Sequence, residues 1–167
     1  AAAAIAQIDA EDTMVVLPAD HLIRPKEEFQ KSLKVGADLA ATPGQLVTFG
    51  VSPSFPATGY GYIEKGPAIN SPADSSAFEV SSFKEKPGQE TASGFLATGN
   101  YLWNAGIFVW RADSILDAIQ AHMPSLSKGI GQLAEDFDDY QDHIADIYDN
   151  LESVPVDIGI LEKSKQV

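Results

Sequence analysis

The sequence predicts an α/β fold, because short apolar runs of strand length alternate with segments whose apolar residues recur at helical spacing. Met14-Val15-Val16-Leu17, halted by Pro18, has the continuous apolar character of a strand buried in a parallel sheet. Leu46-Val47-Thr48-Phe49-Gly50-Val51 repeats that character after a helical segment, so strand, helix and strand follow in the order of a right-handed crossover. With 167 residues, 44% of them hydrophobic, the chain can bury one sizeable core, and a single unit over 1–167 is expected.

Taken in order, Ala1–Ala6 reads as the end of a helix. It lacks the basic start of a secretory leader, and Asp9, Glu11 and Asp12 follow it closely. Pro25 suits the first turn of a helix in which Phe29, Leu33 and Ala37 recur every fourth residue, while Glu27 and Glu28 suit its N-terminal dipole. Within the proline- and glycine-rich stretch from Ser52 to Asp74, Tyr60–Glu64 is a short strand. Ala77–Phe83 alternates as a further strand, Gln89–Leu96 is helical, and Ile107–Trp110 is a buried strand before a helix carrying Ile115, Leu116 and Ile119. From Ile130 to Leu151, the residues Leu133, Phe137, Tyr140, Ile144, Ile147 and Leu151 share one face of an amphipathic helical segment. Its acids between Glu135 and Asp149 form a solvated face, since the glycine-containing loop of an EF-hand is absent. Val154-Pro155-Val156 closes the order as a short strand that presents Asp157.

Acidic residues outnumber basic ones by 24 to 11, a formal charge of −13, which argues against a broad electrostatic grip on nucleic acid or anionic lipid. A phosphorylated ligand would need local lysines or a metal ion. No cysteine is present, so disulfides and thiolate metal sites are excluded, and the cytoplasm is only a default location. No apolar run approaches the ~20 residues needed to cross a bilayer as a helix.

Chemistry concentrates at a few positions. Asp20 and Asp157 each follow a short apolar run, and open α/β sheets collect ligands at the carboxyl ends of their strands. Two such acids suit one magnesium ion, which accepts a few carboxylates alongside water and substrate phosphates; the plainer reading is that each caps a helix or turn. In Glu85-Lys86-Pro87, the lysine is a mobile charge able to follow a phosphate, and the glutamate can accept hydrogen bonds from sugar hydroxyls. A lone Glu-Lys-Pro is usually a surface turn, so its specificity comes from its place after a strand and before Asn104-Ala105-Gly106. Asn104 offers an amide donor and acceptor to a sugar, or serves as a turn residue. In Thr58-Gly59-Tyr60-Gly61-Tyr62 the glycines allow close approach of a ligand, or simply a hairpin. His21, His122 and His143 show no metal-ligand spacing and are assigned no catalytic role. There is no nucleophile elbow, Walker loop or zinc signature.

In this order, Val16–His21, Leu46–Ile63, Phe83–Pro87, Asn100–Phe108 and Val156–Lys163 resemble the guanylyltransferase region of the type II mannose-6-phosphate isomerase/mannose-1-phosphate guanylyltransferase family. The resemblance covers nearly the whole chain. It implies a Rossmann-like nucleotide-diphospho-sugar transferase fold with a mixed central sheet, here a partial sugar nucleotidyltransferase domain over 1–167. The implied reaction joins GTP and mannose 1-phosphate into GDP-mannose and releases pyrophosphate. By the same resemblance Asp20 and Asp157 hold Mg2+, Gly61, Glu85 and Asn104 contact the sugar, Lys86 contacts phosphate and counts with the aspartates as catalytic, and Lys163 is a second phosphate contact.

Two departures stand out. Ile158 and Gly159 replace a tyrosine and an alanine of the family pattern, approaching the Asp-x-Gly form of other sugar nucleotidyltransferases. The glycine-rich loop ending in arginine and proline, which cradles nucleotide phosphates in the family, does not precede Asp20. The expectation is therefore an N-terminally incomplete fragment, inactive as an isolated chain. Two alternatives follow from these departures: a nucleotidyltransferase for another hexose 1-phosphate, or a non-catalytic regulatory homologue that binds a sugar nucleotide. Base preference and oligomeric state are set by no motif, and a homo-oligomer stays open.

Overall fold

The computed structural model describes residues 1–69, 77–135 and 144–167. Its organising element is a long strand, β5 (Tyr101–Arg111), whose second half, Ile107 to Arg111, is buried throughout. Four shorter strands complete the sheet: β1 (Thr13–Val16), β2 (Leu46–Val51), β3 (Tyr62–Ile69) and β4 (Ala77–Lys84). β2 lies along one edge of β5, pairing Leu46 with Trp110 and Val51 with Trp103. The other edge is shared: β1 pairs Val16 with Phe108, β3 pairs Tyr62 with Trp103, and β4 joins beyond β3. All these pairings are antiparallel.

The α/β architecture follows expectation, whereas the sheet is antiparallel in every described pairing rather than mixed, and the neighbour relations differ from a simple crossover. β1 and β2 run in the same direction because both oppose β5, but β5 lies between them. Nor is β1 buried on both faces. Met14 and Val16 pack toward the core, while Val15 and Leu17 are 45% and 51% exposed, the alternation that a strand imposes on its side chains. The short strand expected at Tyr60–Glu64 begins at Tyr62 and extends to Ile69.

The helices are α1 (Ala2–Ala6), α2 (Lys26–Ala40), α3 (Gln89–Thr98), α4 (Ala112–His122), α5 (Pro124–Glu135) and α6 (Ile144–Asp149). Part of the amphipathic segment expected over Ile130–Leu151 falls in α5 and α6; Phe137, Tyr140, His143 and the acids Asp136, Asp138, Asp139 and Asp142 lie outside the described residues. α3 ends at Gly99, whose φ of 68° supplies the left-handed cap that glycine adopts without steric cost. No helix among the described residues is long and apolar enough to cross a membrane.

The expected closing strand at Val154–Val156 does not form. Pro155 cannot donate to a ladder, and the chain instead enters a π-helical turn, Asp157–Leu161. That turn buries Ile160 and Leu161 at 1% and 3% exposure against Leu46, Phe108, Trp110, Ile115 and Ile119. Burial of this kind stabilises by about 2 kcal/mol per large aliphatic side chain. The turn thereby fixes Asp157, its first residue, beside the sheet.

Candidate active site

The site forms where β1 and β3 part from their common edge of β5. Between Trp103, the partner of Tyr62, and Phe108, the partner of Val16, that edge carries no ladder from either strand. Ala105–Ile107 of β5 lie opposite the single Phe49 of β2, a bulge between the pairs Thr48–Phe108 and Gly50–Asn104. Gly106 makes the bulge possible with a φ of 65°, a conformation side chains disfavour. The segment after β1 reaches this point, since a methyl on Gly106 would lie 3.7 Å from Pro18.

Asn104 stands at the centre. Its backbone N–H donates to the Gly61 carbonyl at 2.8 Å, and its side-chain nitrogen donates to Asp157 Oδ1 at 2.9 Å. Its carboxamide oxygen accepts from Thr48 Oγ1 at 3.0 Å and from the Gly106 N–H at 3.2 Å. Gly61 also faces Glu85 so closely that an added Cβ would lie 2.6 Å from Glu85 Oε2 and 3.0 Å from Phe83 Cζ. Lys86 Nζ rests 3.4 Å from Glu85 Oε1; the lysine side chain is 64% exposed and that of glutamate only 19%. Lys86 is the one non-glycine residue with positive φ among the described residues, at 42°, although the following proline disfavours helical backbone there.

Burial, and then the negative charge of Glu85, raise the Asp157 carboxyl above its ordinary value; the Asn104 hydrogen bond pulls the other way. Two carboxylates held close and partly dehydrated gain from an arriving cation. The donors are hard oxygens, as magnesium prefers, and among the described residues no three His, Cys, Asp or Glu side chains form an all-protein cage. The Glu85 and Asp157 carboxylates offer the oxygen donors that magnesium takes, its other ligands being water and phosphate.

Gly61, Glu85, Lys86, Asn104 and Asp157 thus come together. Asp20 is exposed on the segment beyond β1. Lys163 lines a different cavity, with Met123, Leu126 and Gly159, of about 140 Å³. A larger cavity of about 530 Å³ adjoins Asn104, lined by His21, Arg24, Phe29, Tyr60 and Trp103. Trp103 is packed edgewise by Phe55 and Tyr60, with ring centroids 4.9 and 5.2 Å away. Sequence reasoning gives no site role to Thr48 or Phe83. Thr48 carries one signal, a polar residue inside the apolar strand Leu46–Phe49.

The chain is thus an α/β protein whose candidate site lies where two strands part along one edge of β5, edged by the Glu85 and Asp157 carboxylates, the Asn104 amide and Lys86. Residues 1–160 match the nucleotidyl transferase family model, and the chain belongs to that family. It is 44% identical over 118 residues to the mannose-1-phosphate guanylyltransferase ManC of Salmonella typhimurium, covering 71% of this chain and 24% of that protein. It is 35% identical to a mannose-1-phosphate guanylyltransferase of Sinorhizobium fredii, over 98% of this chain and 32% of that protein. A solved structure named mannose-1-phosphate geranyltransferase, from Thermus thermophilus, superposes with a TM-score of 0.82 at 26% identity, over 97% of this chain and 44% of that one. A second, named mannose-6-phosphate isomerase, from Helicobacter pylori, gives 0.80 at 30% identity, over 99% of this chain and 63% of that one. The chain spans about a third or less of the length of these two curated relatives.

Proposed function

We propose that this chain is the sugar-phosphate- and metal-binding part of a mannose-1-phosphate guanylyltransferase, in which mannose 1-phosphate and GTP give GDP-mannose and pyrophosphate. The observation that carries the reading is that Asn104 joins Gly61 through its backbone and Asp157 through its side chain, with Glu85 lying against Gly61. The names of the curated relatives favour mannose 1-phosphate over another hexose phosphate, and a transferase over a regulatory binding protein.

Phosphoryl transfer of this kind asks the protein for positioning and charge neutralisation rather than a nucleophile. Glu85 would accept hydrogen bonds from two sugar hydroxyls. Gly61, lacking a Cβ, lets Glu85 lie against its backbone, and Asn104 supplies the amide hydrogen that Asp157 does not use. Lys86, mostly exposed and loosely paired, can swing from Glu85 to the sugar phosphate. Asp157 and Asp20 would hold Mg2+, which when bound neutralises phosphate charge. Lys163 adds a second phosphate contact only if its side chain leaves the cavity beside Met123.

Ligand-observed NMR with this chain, comparing mannose 1-phosphate and glucose 1-phosphate in the presence of Mg2+, tests the assignment. Tighter binding of mannose 1-phosphate is expected. Equal or reversed preference would remove mannose as the substrate.

A further inference from the structure

We infer that Thr48 is a positioning residue: with the Gly106 N–H it clamps the Asn104 carboxamide, so that the amide nitrogen faces Asp157 and keeps one hydrogen free for ligand. This deepens the proposed function and rests on its reading of Asp157 as a cation-holding group.

The hydrogen-bond inventory leaves the amide one orientation. The Gly106 N–H is only a donor, so the Asn104 atom 3.2 Å from it must be the oxygen. An ionised Asp157 is only an acceptor, so the atom 2.9 Å from its Oδ1 must be the nitrogen. A flipped amide would set donor against donor and oxygen against carboxylate. Thr48 adds the second hydrogen bond to that oxygen at 3.0 Å, with a longer 3.4 Å approach to the Ile107 carbonyl. Both lone pairs of the oxygen are then used. Of the two amide hydrogens, one goes to Asp157, and no other protein acceptor takes the second among the described residues.

The bulge explains why a residue 56 positions away does this. Thr48 pairs with Phe108 and Gly50 with Asn104, so the extra β5 residues bring the Asn104 side chain back over Thr48. Groups that orient a metal-binding carboxylate from behind typically change metal affinity by about 10- to 100-fold when removed. Thr48 acts through a second side chain, so the lower end of that range applies.

The test uses this chain and Mn2+ as probe. Mn2+ affinity by titration, and the 1H–15N signals of the Asn104 side-chain amide, are measured for the parent, Thr48→Val, Thr48→Ser and Asp157→Asn. Thr48→Val should weaken Mn2+ about tenfold and shift the Asn104 amide signals, with Thr48→Ser within about twofold of the parent. Thr48→Ala replaces Thr48→Val should the latter not fold. Parent-like Mn2+ binding in Thr48→Val, with Asp157→Asn impaired, overturns the inference and spares the reading of Asp157. If Asp157→Asn also binds Mn2+ like the parent, the metal reading falls. Positioning of the amide then stands if Thr48→Val moves the Asn104 signals and Thr48→Ser restores them, and is overturned if they do not move.

Discussion

Gly61 and Glu85 approach so closely that a single methyl group on Gly61 would sit 2.6 Å from Glu85 Oε2. The carboxylate, exposed by only 19%, must give way if a side chain appears there. Gly61→Ala should therefore move Glu85 off the sugar and weaken binding of mannose 1-phosphate by about tenfold, or about 1.4 kcal/mol. Titration calorimetry against the parent checks this. Unchanged affinity would mean that Glu85 does not touch the sugar.

The metal-holding role proposed for Asp157 and its effect on stability have opposite signs. Its carboxyl is raised by burial and by Glu85, so ionising it costs the folded state. That cost sets in as pH rises from the unfolded-state value through the folded one, and is relieved on acidification. Asp157→Asn removes it while the amide oxygen still accepts from Asn104. Thermal melts should show the variant about 2 °C more stable at pH 7, with the gain shrinking toward about pH 4, and should show it deaf to added Mg2+.

Lys86 combines the phosphate contact proposed for it with a disfavoured backbone. Lys86→Ala should weaken mannose 1-phosphate while leaving the weak binding of unphosphorylated mannose as it was, a contrast NMR titration can read. Lys86→Gly should be more stable than Lys86→Ala by about 1 kcal/mol, because glycine adopts the φ of 42° freely. Equal stabilities in denaturant melts would contradict a strained turn.

Away from the site, Arg111 donates to Asp113 from Nε at 3.0 Å and from Nη2, and also pairs with Glu11 at 3.4 Å. The guanidinium holds the Asp113 carboxyl below its ordinary value. Its stabilisation is full above the unfolded value near about pH 3.9 and is lost as pH falls through the lower folded value. Asp113→Asn should lower Tm by about 3 °C at pH 7, and the gap should narrow as pH falls below about 3.9. A constant gap down to pH 2 would assign the effect to packing.

Local periodicity made much of this fold legible. β2 coincides with the apolar run Leu46–Val51, and α2 follows the spacing of Phe29, Leu33 and Ala37. What escaped was long-range: no local pattern says that β5 inserts between β1 and β2, or that it starts at Tyr101, before the apolar run at Ile107. Val154-Pro155-Val156 looked like a strand because the apolar residues flank a proline; the burial of Ile160 and Leu161 decided for a helical turn. At the site, Glu85, Lys86, Asn104 and Asp157 could be singled out by residue type and order. Their mutual fit could not, since the Thr48–Asn104 bond and the Gly61–Glu85 approach depend on a bulge and a turn that only the folded sheet creates.

The decisive quantity is the affinity of this chain for mannose 1-phosphate in the presence of Mg2+, measured by calorimetry alongside Glu85→Gln. Saturable one-to-one binding is expected, strengthened by Mg2+ and weakened at least about tenfold in the variant, as when a charged hydrogen-bond acceptor is lost. Binding that ignores both Mg2+ and the Glu85 substitution would contradict a sugar-phosphate and metal site at Glu85, Asn104 and Asp157.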